Sequence, residues 1–184
     1  MYGHIVQFRT DYVPQRTYTE GMRAWVWLVV VACGGSQAPV EAHRRAPDFE
    51  LQDQSGATRT LSEYAGKPVV LYFYPRDATP GCTVEACAFR DAWSRFEAAG
   101  AQVLGVSTDD VQSHAAFARE HQLPFPLLAD LEGRVAQEYG VAMRMGMTMR
   151  TTFLIDGSGV IRRVFEDVDP AVHVDEVLAA IAEL

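Results

Sequence analysis

The sequence predicts a mixed α/β fold, a central mixed sheet flanked by helices. Short apolar runs at 69–73, 102–106 and 151–155 have the length and β-rich composition of buried strands. Helical periodicity fills the stretches between the first of these runs, with Gly and Pro marking the boundaries. A hairpin and an amphipathic helix close the chain. Strands alternating with helices in this way imply helices layered on a sheet.

The elements follow in order from Pro47. Phe49-Glu50-Leu51 and Ala57 to Leu61 alternate around Asp53-Gln54-Ser55-Gly56, so an opening hairpin is expected. Ser62 is placed to cap a short turn before Gly66-Lys67-Pro68. Val69 to Phe73 reads as a strand, Pro80-Gly81 as a break, and the residues from Cys82 to about Gly100 as a helix. Gln102 to Val106 is the next strand. Ser107-Thr108-Asp109-Asp110 then caps a helix over Val111 to Gln122, which Pro124 and Pro126 stop. A short helix is expected over Gly133 to Tyr139. Thr151 to Ile155 and Val160 to Phe165 form a hairpin around Asp156-Gly157-Ser158-Gly159. Asp169-Pro170 supplies an N-cap and an N1 proline for a closing helix lined by Val174, Val177, Leu178 and Ile181.

A chain of 184 residues accommodates one domain with a substantial core, and no repeat or second domain is visible. Its 48% hydrophobic and 22% charged content is that of a soluble globular protein. A net charge of −8 argues against a nucleic-acid-binding or anionic-membrane surface.

Chemistry concentrates in Tyr74-Pro75-Arg76-Asp77-Ala78-Thr79-Pro80-Gly81-Cys82-Thr83-Val84-Glu85-Ala86-Cys87. Strand, tight turn and helix follow one another here, which sets Cys82 near the first turn of the helix. Unpaired N–H groups and a partial positive charge at that end favour an anion. A thiol there becomes a thiolate, the nucleophilic form, more easily. Cys82 is therefore a candidate reactive cysteine, the alternative being a small buried apolar residue. Five residues of continuous helix would hold Cys82 and Cys87 roughly 8–9 Å apart at Cα, beyond the ~7 Å reach of a disulfide. A bond between them would need the first turns to unwind. That spacing suggests an attacking and a resolving thiol coupled by local unfolding; a buried helix-face residue is the other reading of Cys87.

Pro75-x-x-x-Thr79-x-x-Cys82 resembles the active-site signature of the peroxiredoxins, and YPRDATPGCTVEACAFRD resembles their bacterioferritin comigratory protein, or peroxiredoxin Q, branch. The similarity runs from about Ala46 to the C-terminus. Usual strings of the branch carry Lys and Asn where this chain has Arg76 and Ala78; neither is a signature position. The resemblance implies a thioredoxin fold and reduction of hydrogen peroxide and organic hydroperoxides. It implies Cys82 as peroxidatic and Cys87 as resolving cysteine, with re-reduction by thioredoxin or a thioredoxin-like protein. No metal or organic cofactor is called for, and a monomer is expected.

Peroxide reduction needs a held thiolate, an oriented O–O bond and donors for the leaving oxygen. Thr79 would hydrogen-bond a peroxide oxygen, the alternative being a helix-cap threonine. Pro75 closes the strand and, as the resemblance implies, shields the thiolate. Arg150, just before Thr151 to Ile155, matches the segment that carries the family's active-site arginine and would stabilise the thiolate; Arg144 is the alternative. Glu85 and Arg90 are expected to pair and steady the helix. The five histidines stand far from the cysteine motif in sequence.

Residues 1–45 read differently. Ala24 to Cys33 is an apolar run too short to span a bilayer but suited to a signal peptide. Val30-Val31-Ala32-Cys33 resembles a bacterial lipobox, which makes Cys33 a candidate lipidation site and accounts for the odd cysteine of three. The expected organisation is a leader at 1–33, a flexible tether at 34–45 and a peroxiredoxin domain at 46–184, lipid-anchored on the periplasmic side of the bacterial cell envelope. If the N-terminus is a mis-assigned start, with Met22 an alternative to Met1, the protein would be cytoplasmic.

Met143, Met145, Met147 and Met149 alternate. Thioethers can bind Cu(I), but a flexible apolar loop beside the pocket is the favoured reading. Two other functions are thus weighed: a non-enzymatic copper-binding lipoprotein, and a thioredoxin-like disulfide reductase, which would want a Cys-x-x-Cys pair.

Overall fold

The computed structural model describes residues 41–166 and 168–184. The expected leader with Cys33, and most of the tether, lie outside the described residues. Among those residues no helix is long and apolar enough to cross a membrane.

The chain opens with a hairpin of β1 (Glu50–Asp53) and β2 (Thr58–Thr60), followed by a 3-10 turn at Leu61–Tyr64. Thr60, not Ser62, is the residue that caps this turn, its N–H donating to Glu63 Oε1 at 3.3 Å. Then come β3 (Val69–Phe73), α1 (Pro80–Asp91), α2 (Trp93–Ala98) and β4 (Gln102–Ser107). The expected single helix to Gly100 is therefore two. The axis breaks at Ala92, whose carbonyl accepts from Arg95 in an i,i+3 bond of 2.9 Å. The break lets Phe89 and Phe96, both fully buried, pack together at 5.6 Å.

α3 (Val111–His121) starts at Asp110, whose side chain accepts from Ser113 N–H at 2.8 Å. β5 (Leu127–Ala129), too short to show a pattern, follows Pro126, and α4 (Arg134–Glu138) follows it. A small separate ribbon, β6 (Met143–Arg144) and β7 (Met147–Thr148), precedes the hairpin of β8 (Thr151–Ile155) and β9 (Ile161–Glu166). The closing helix α5 (His173–Ile181) begins three residues later than Asp169-Pro170 suggests. Asp169 instead accepts from Ala171 N–H, holding a turn that leads into the helix.

Seven strands form one sheet in the order β2-β1-β5-β4-β3-β8-β9. The central pairs β3–β4 and β4–β5 are parallel, the others antiparallel, so the sheet is mixed. β3 is buried on both faces, as its unbroken apolar run requires. Val70 and Tyr72 point to the layer built with α1, α2, α3 and α5; Val69, Leu71 and Phe73 point to the layer of α4 and the 3-10 turn. Trp93 seals the first layer at the α1–α2 break, its ring 5.9 Å from that of Phe125. Each fully buried Phe contributes roughly 1.5–3 kcal/mol, so the aromatic cluster under α1 is a firm base for the helix that carries both cysteines.

Candidate active site

The site is built where β3 runs out. Tyr74 N–H still bonds the Val106 carbonyl at 3.0 Å, but Pro75 offers no donor and the chain leaves the sheet. Pro75 is half-buried at this exit. Three residues on, Ala78 takes φ +54°, a left-handed conformation that reverses the chain into α1. Thr79 is the N-cap residue and Pro80 the first helical residue, a position suited to a fixed φ and a missing N–H. The first intrahelical bond runs from Thr83 N–H to the Thr79 carbonyl at 2.9 Å. The N–H of Cys82, one residue earlier, has no partner within the helix.

Cys82 lies in that first turn with 1% of its surface exposed. Arg150, at the edge of β8, donates from Nη2 to Cys82 Sγ at 3.2 Å. Its Nη1 donates to Glu85 Oε2, one turn further along α1. The expected Glu85–Arg90 pair is therefore absent: Arg90 pairs with Asp91 at 2.8 Å, and Glu85 turns inward to Arg150. Five residues along a helix is about 140° of rotation, so Glu85 and Arg90 face different ways. Arg144, the alternative cation, is exposed on the ribbon. Gly81 makes the approach possible, since a Cβ there would fall 2.8 Å from Arg150 Nη2.

Arg150 acts electrostatically on two buried titratable groups around the Cys82 thiol, Glu85 and His173. Burial pushes the Glu85 carboxyl up to about 7, against the pull of Arg150. Glu85 Oε1 is buried without a protein partner. His173, at the start of α5, is fully buried, with its imidazole pushed down to about 4 by burial and then by Arg150. Its Nε2 meets Thr152 Oγ1 at 2.8 Å, and its ring packs edge-on against Phe89 of α1.

Thr79 does not cap the helix with its side chain; its hydroxyl donates to the Arg76 carbonyl at 3.1 Å. The hydroxyl oxygen keeps its acceptor capacity. Beneath the loop, Asp77 is buried and gathers Tyr74 Oη (2.7 Å), Ser113 Oγ (2.8 Å) and His114 Nδ1 (2.9 Å). Burial pushes the Asp77 carboxyl up, but the bonds from His114, Tyr74 and Ser113 outweigh it, leaving a net lowering. Asp77 N–H donates to Asp109 Oδ2 at 2.8 Å. Thus the loop between β3 and α1 is fastened to the start of α3 by a carboxylate that the sequence does not single out.

Cys87 lies on the same uninterrupted helix as Cys82, partly exposed, and both thiols are free. Its Sγ is 3.9 Å from Nδ1 of His121, the last residue of α3. Three of the histidines that are remote in sequence thus meet the motif in space. No local pattern announces this; only the folding of α3 and α5 against α1 does.

The methionines are not gathered. Register pairs Met143 with Thr148 and Arg144 with Met147, so Met143 and Met147 fall on opposite faces of the ribbon. Met145 forms the turn at φ +54° and is 88% exposed. Among the described residues no group of three or more His, Cys, Asp or Glu side chains is arranged to hold a metal ion.

The AhpC/TSA family matches residues 42–164. A chloroplastic peroxiredoxin Q of Populus jackii is 45% identical over 150 residues, covering 80% of this chain and 70% of its own length. A putative peroxiredoxin bcp of Coxiella burnetii is 46% identical over 146 residues, covering 76% and 97%. Among solved structures, the peroxidoxin BcpB of Mycobacterium tuberculosis superposes with a TM-score of 0.73 at 40% identity, over 78% of this chain and 97% of that one.

Proposed function

The chain belongs to the AhpC/TSA family and is a thiol-dependent peroxidase of the peroxiredoxin Q and Bcp type; from that premise we propose that Cys82 attacks the peroxide and Cys87 resolves the product. The observation that carries this is the Arg150 guanidinium set 3.2 Å from the buried Cys82 sulfur in the first turn of α1.

The Cys82 thiolate attacks the terminal oxygen of ROOH in line. An S–O bond forms, the O–O bond breaks, and RO⁻ leaves to take the proton released by the thiol. Cys82 becomes a sulfenic acid and the peroxide becomes ROH. Arg150 and the unpaired N–H of Cys82 stabilise negative charge on sulfur and on the departing oxygen, donors of a kind worth about 10²–10³ in rate each. Thr79 accepts from the peroxide O–H with its free lone pairs, or donates to the peroxide once its bond to the Arg76 carbonyl is exchanged. Pro75, half-buried where β3 ends, shields the thiolate from water.

Both cysteines on one continuous helix cannot join without unwinding. The start of α1 is suited to that, with Pro80 and Val84 exposed and its first hydrogen bond only at Thr83. Cys87 then condenses with the sulfenic acid, releasing water, and an external dithiol protein of the thioredoxin type reduces the disulfide. Stopped-flow oxidation of the reduced 46–184 domain by hydrogen peroxide tests the reading. Cys82→Ser is expected to abolish fast oxidation, and Cys87→Ser to accumulate a trappable sulfenic acid. Oxidation no faster than that of a free thiol would overturn it.

The same proposal extends to the cell envelope. Val30-Val31-Ala32-Cys33 supports lipid anchoring through Cys33. Metabolic labelling with an alkyne fatty acid should mark the full chain and not Cys33→Ser. An unlabelled, cytoplasmic protein would reverse this reading.

A further inference from the structure

We propose that His121 is the base that activates Cys87 for its attack on the Cys82 sulfenic acid. The inference rests on Cys87 being the resolving thiol, and adds a residue that no sequence motif marks. Condensation must break the Cys87 S–H bond and the Cys82 S–O bond, form S–S, and deliver a proton to the departing hydroxide. Thiolate is the attacking form. A nearby base that takes the thiol proton and returns it to the hydroxide completes the step with water as the only by-product.

His121 is the described side chain that meets this need. Its Nδ1 stands 3.9 Å from Cys87 Sγ, within sulfur hydrogen-bond reach. Its Nε2 lies 4.0 Å from the exposed Glu120 carboxylate, and in the neutral ring with the proton on Nε2 the Nδ1 is the acceptor that faces the thiol. One contact holds the ring and another holds its backbone. Phe117, one turn earlier on α3, packs edge-on at 4.8 Å. The His121 carbonyl, at the helix end where no intrahelical donor reaches it, accepts from Arg90 Nη1 at 2.9 Å. Arg90 and its partner Asp91 from α1, and Glu120 from α3, are the charged groups that surround the pair.

The same Arg90 bond decides which cysteine travels. It ties α1 to α3 three residues beyond Cys87, and Phe89 between them is fully buried, 4.8 Å from Tyr72. Downstream of Cys87 the helix is anchored by apolar packing and by this bond to α3, whereas upstream it is held through Arg150 at Cys82 and Glu85 and begins in a first turn with Pro80 and Val84 exposed. Unwinding therefore carries Cys82 to a Cys87 that stays beside its base.

His121→Gln and His121→Phe test the assignment, the second keeping the ring against Phe117. After a peroxide pulse, sulfenic acid formation and disulfide formation are followed separately between pH 5 and 8. Disulfide formation is expected to slow by about ten-fold or more in both variants, with the wild-type pH dependence of that step lost. In a Cys82→Ser background, alkylation of Cys87 by iodoacetamide should slow in parallel. Unchanged disulfide formation and alkylation in both variants would overturn the role of His121 while leaving Cys87 as the resolving thiol. Failure of Cys87→Ser to trap sulfenic acid would instead remove Cys87 from the cycle, and the role of His121 with it.

Discussion

Arg150 reaches across 68 residues of sequence to place one guanidinium nitrogen on Cys82 while the other holds Glu85. Its second nitrogen is what fixes the first. A bidentate fork pinned at one end by a buried carboxylate has little freedom at the other, so the cation is aimed before substrate arrives.

Arg150→Lys should therefore behave as a severe change. A lysine keeps the charge but cannot bond Cys82 and Glu85 in the same planar geometry. The second-order rate constant for hydrogen peroxide, read by stopped flow, is expected to fall about 10²-fold, and that of Glu85→Gln by less than about ten-fold. Equal rates in Arg150→Lys and wild type would show that charge alone suffices.

Gly81→Ala isolates the same geometry from the other side. The added methyl would meet Arg150 Nη2 at 2.8 Å, so the guanidinium must retreat from the sulfur. Alanine is intrinsically the better helix residue by about 1 kcal/mol. The expected result is a peroxide rate lowered about ten-fold with urea stability unchanged or higher, a split that a simple folding defect cannot produce.

Ala78 occupies the left-handed region at φ +54°, where an L-residue with a Cβ costs roughly 1–2 kcal/mol. Asparagine tolerates that region and glycine is free of the penalty. Ala78→Asn is expected to raise unfolding free energy by about 0.5–1 kcal/mol in urea titration, and Ala78→Gly by less because of its unfolded-state entropy.

Glu85 and His173 give opposite pH slopes over the same window. The Glu85 pKa rises on folding from 4.5 to about 7, so its contribution is full below 4.5 and lost as pH rises through 7. That of His173 falls from 6.5 to about 4, so its contribution is full above 6.5 and lost as pH falls through 4. Each is on the order of 3 kcal/mol, and the two largely cancel between pH 4.5 and 6.5. Glu85→Gln should unmask a loss of stability on acidification across that range, and His173→Phe a gain. Parallel slopes in the two variants would contradict the assignment.

How much of this was readable from sequence depended on whether the signal was local. Strand, break and helix around Cys82 are contiguous, and the motif and the segment flanking β8 point to Cys82, Cys87, Thr79, Pro75 and Arg150. Arg150 does meet Cys82. Partnerships across the fold were not readable. Glu85 had two arginines to choose from, and only the inward turn of its helix face selects Arg150 over Arg90. His114, His121 and His173 bear on the motif because α3 and α5 pack against it, which no spacing in the chain expresses. The late start of α5 has a different cause: Asp169 does cap, but it caps a turn rather than the helix.

Trp93 sits at the break between α1 and α2, pressed against Phe125, and it is the sole tryptophan of residues 46–184. In that fragment its indole therefore serves as an optical reporter at the far end of the helix that carries both cysteines. Each turnover that strains or releases α1 should register there as a change in emission intensity or wavelength. The catalytic cycle can then be timed, step by step, in the unlabelled 46–184 fragment.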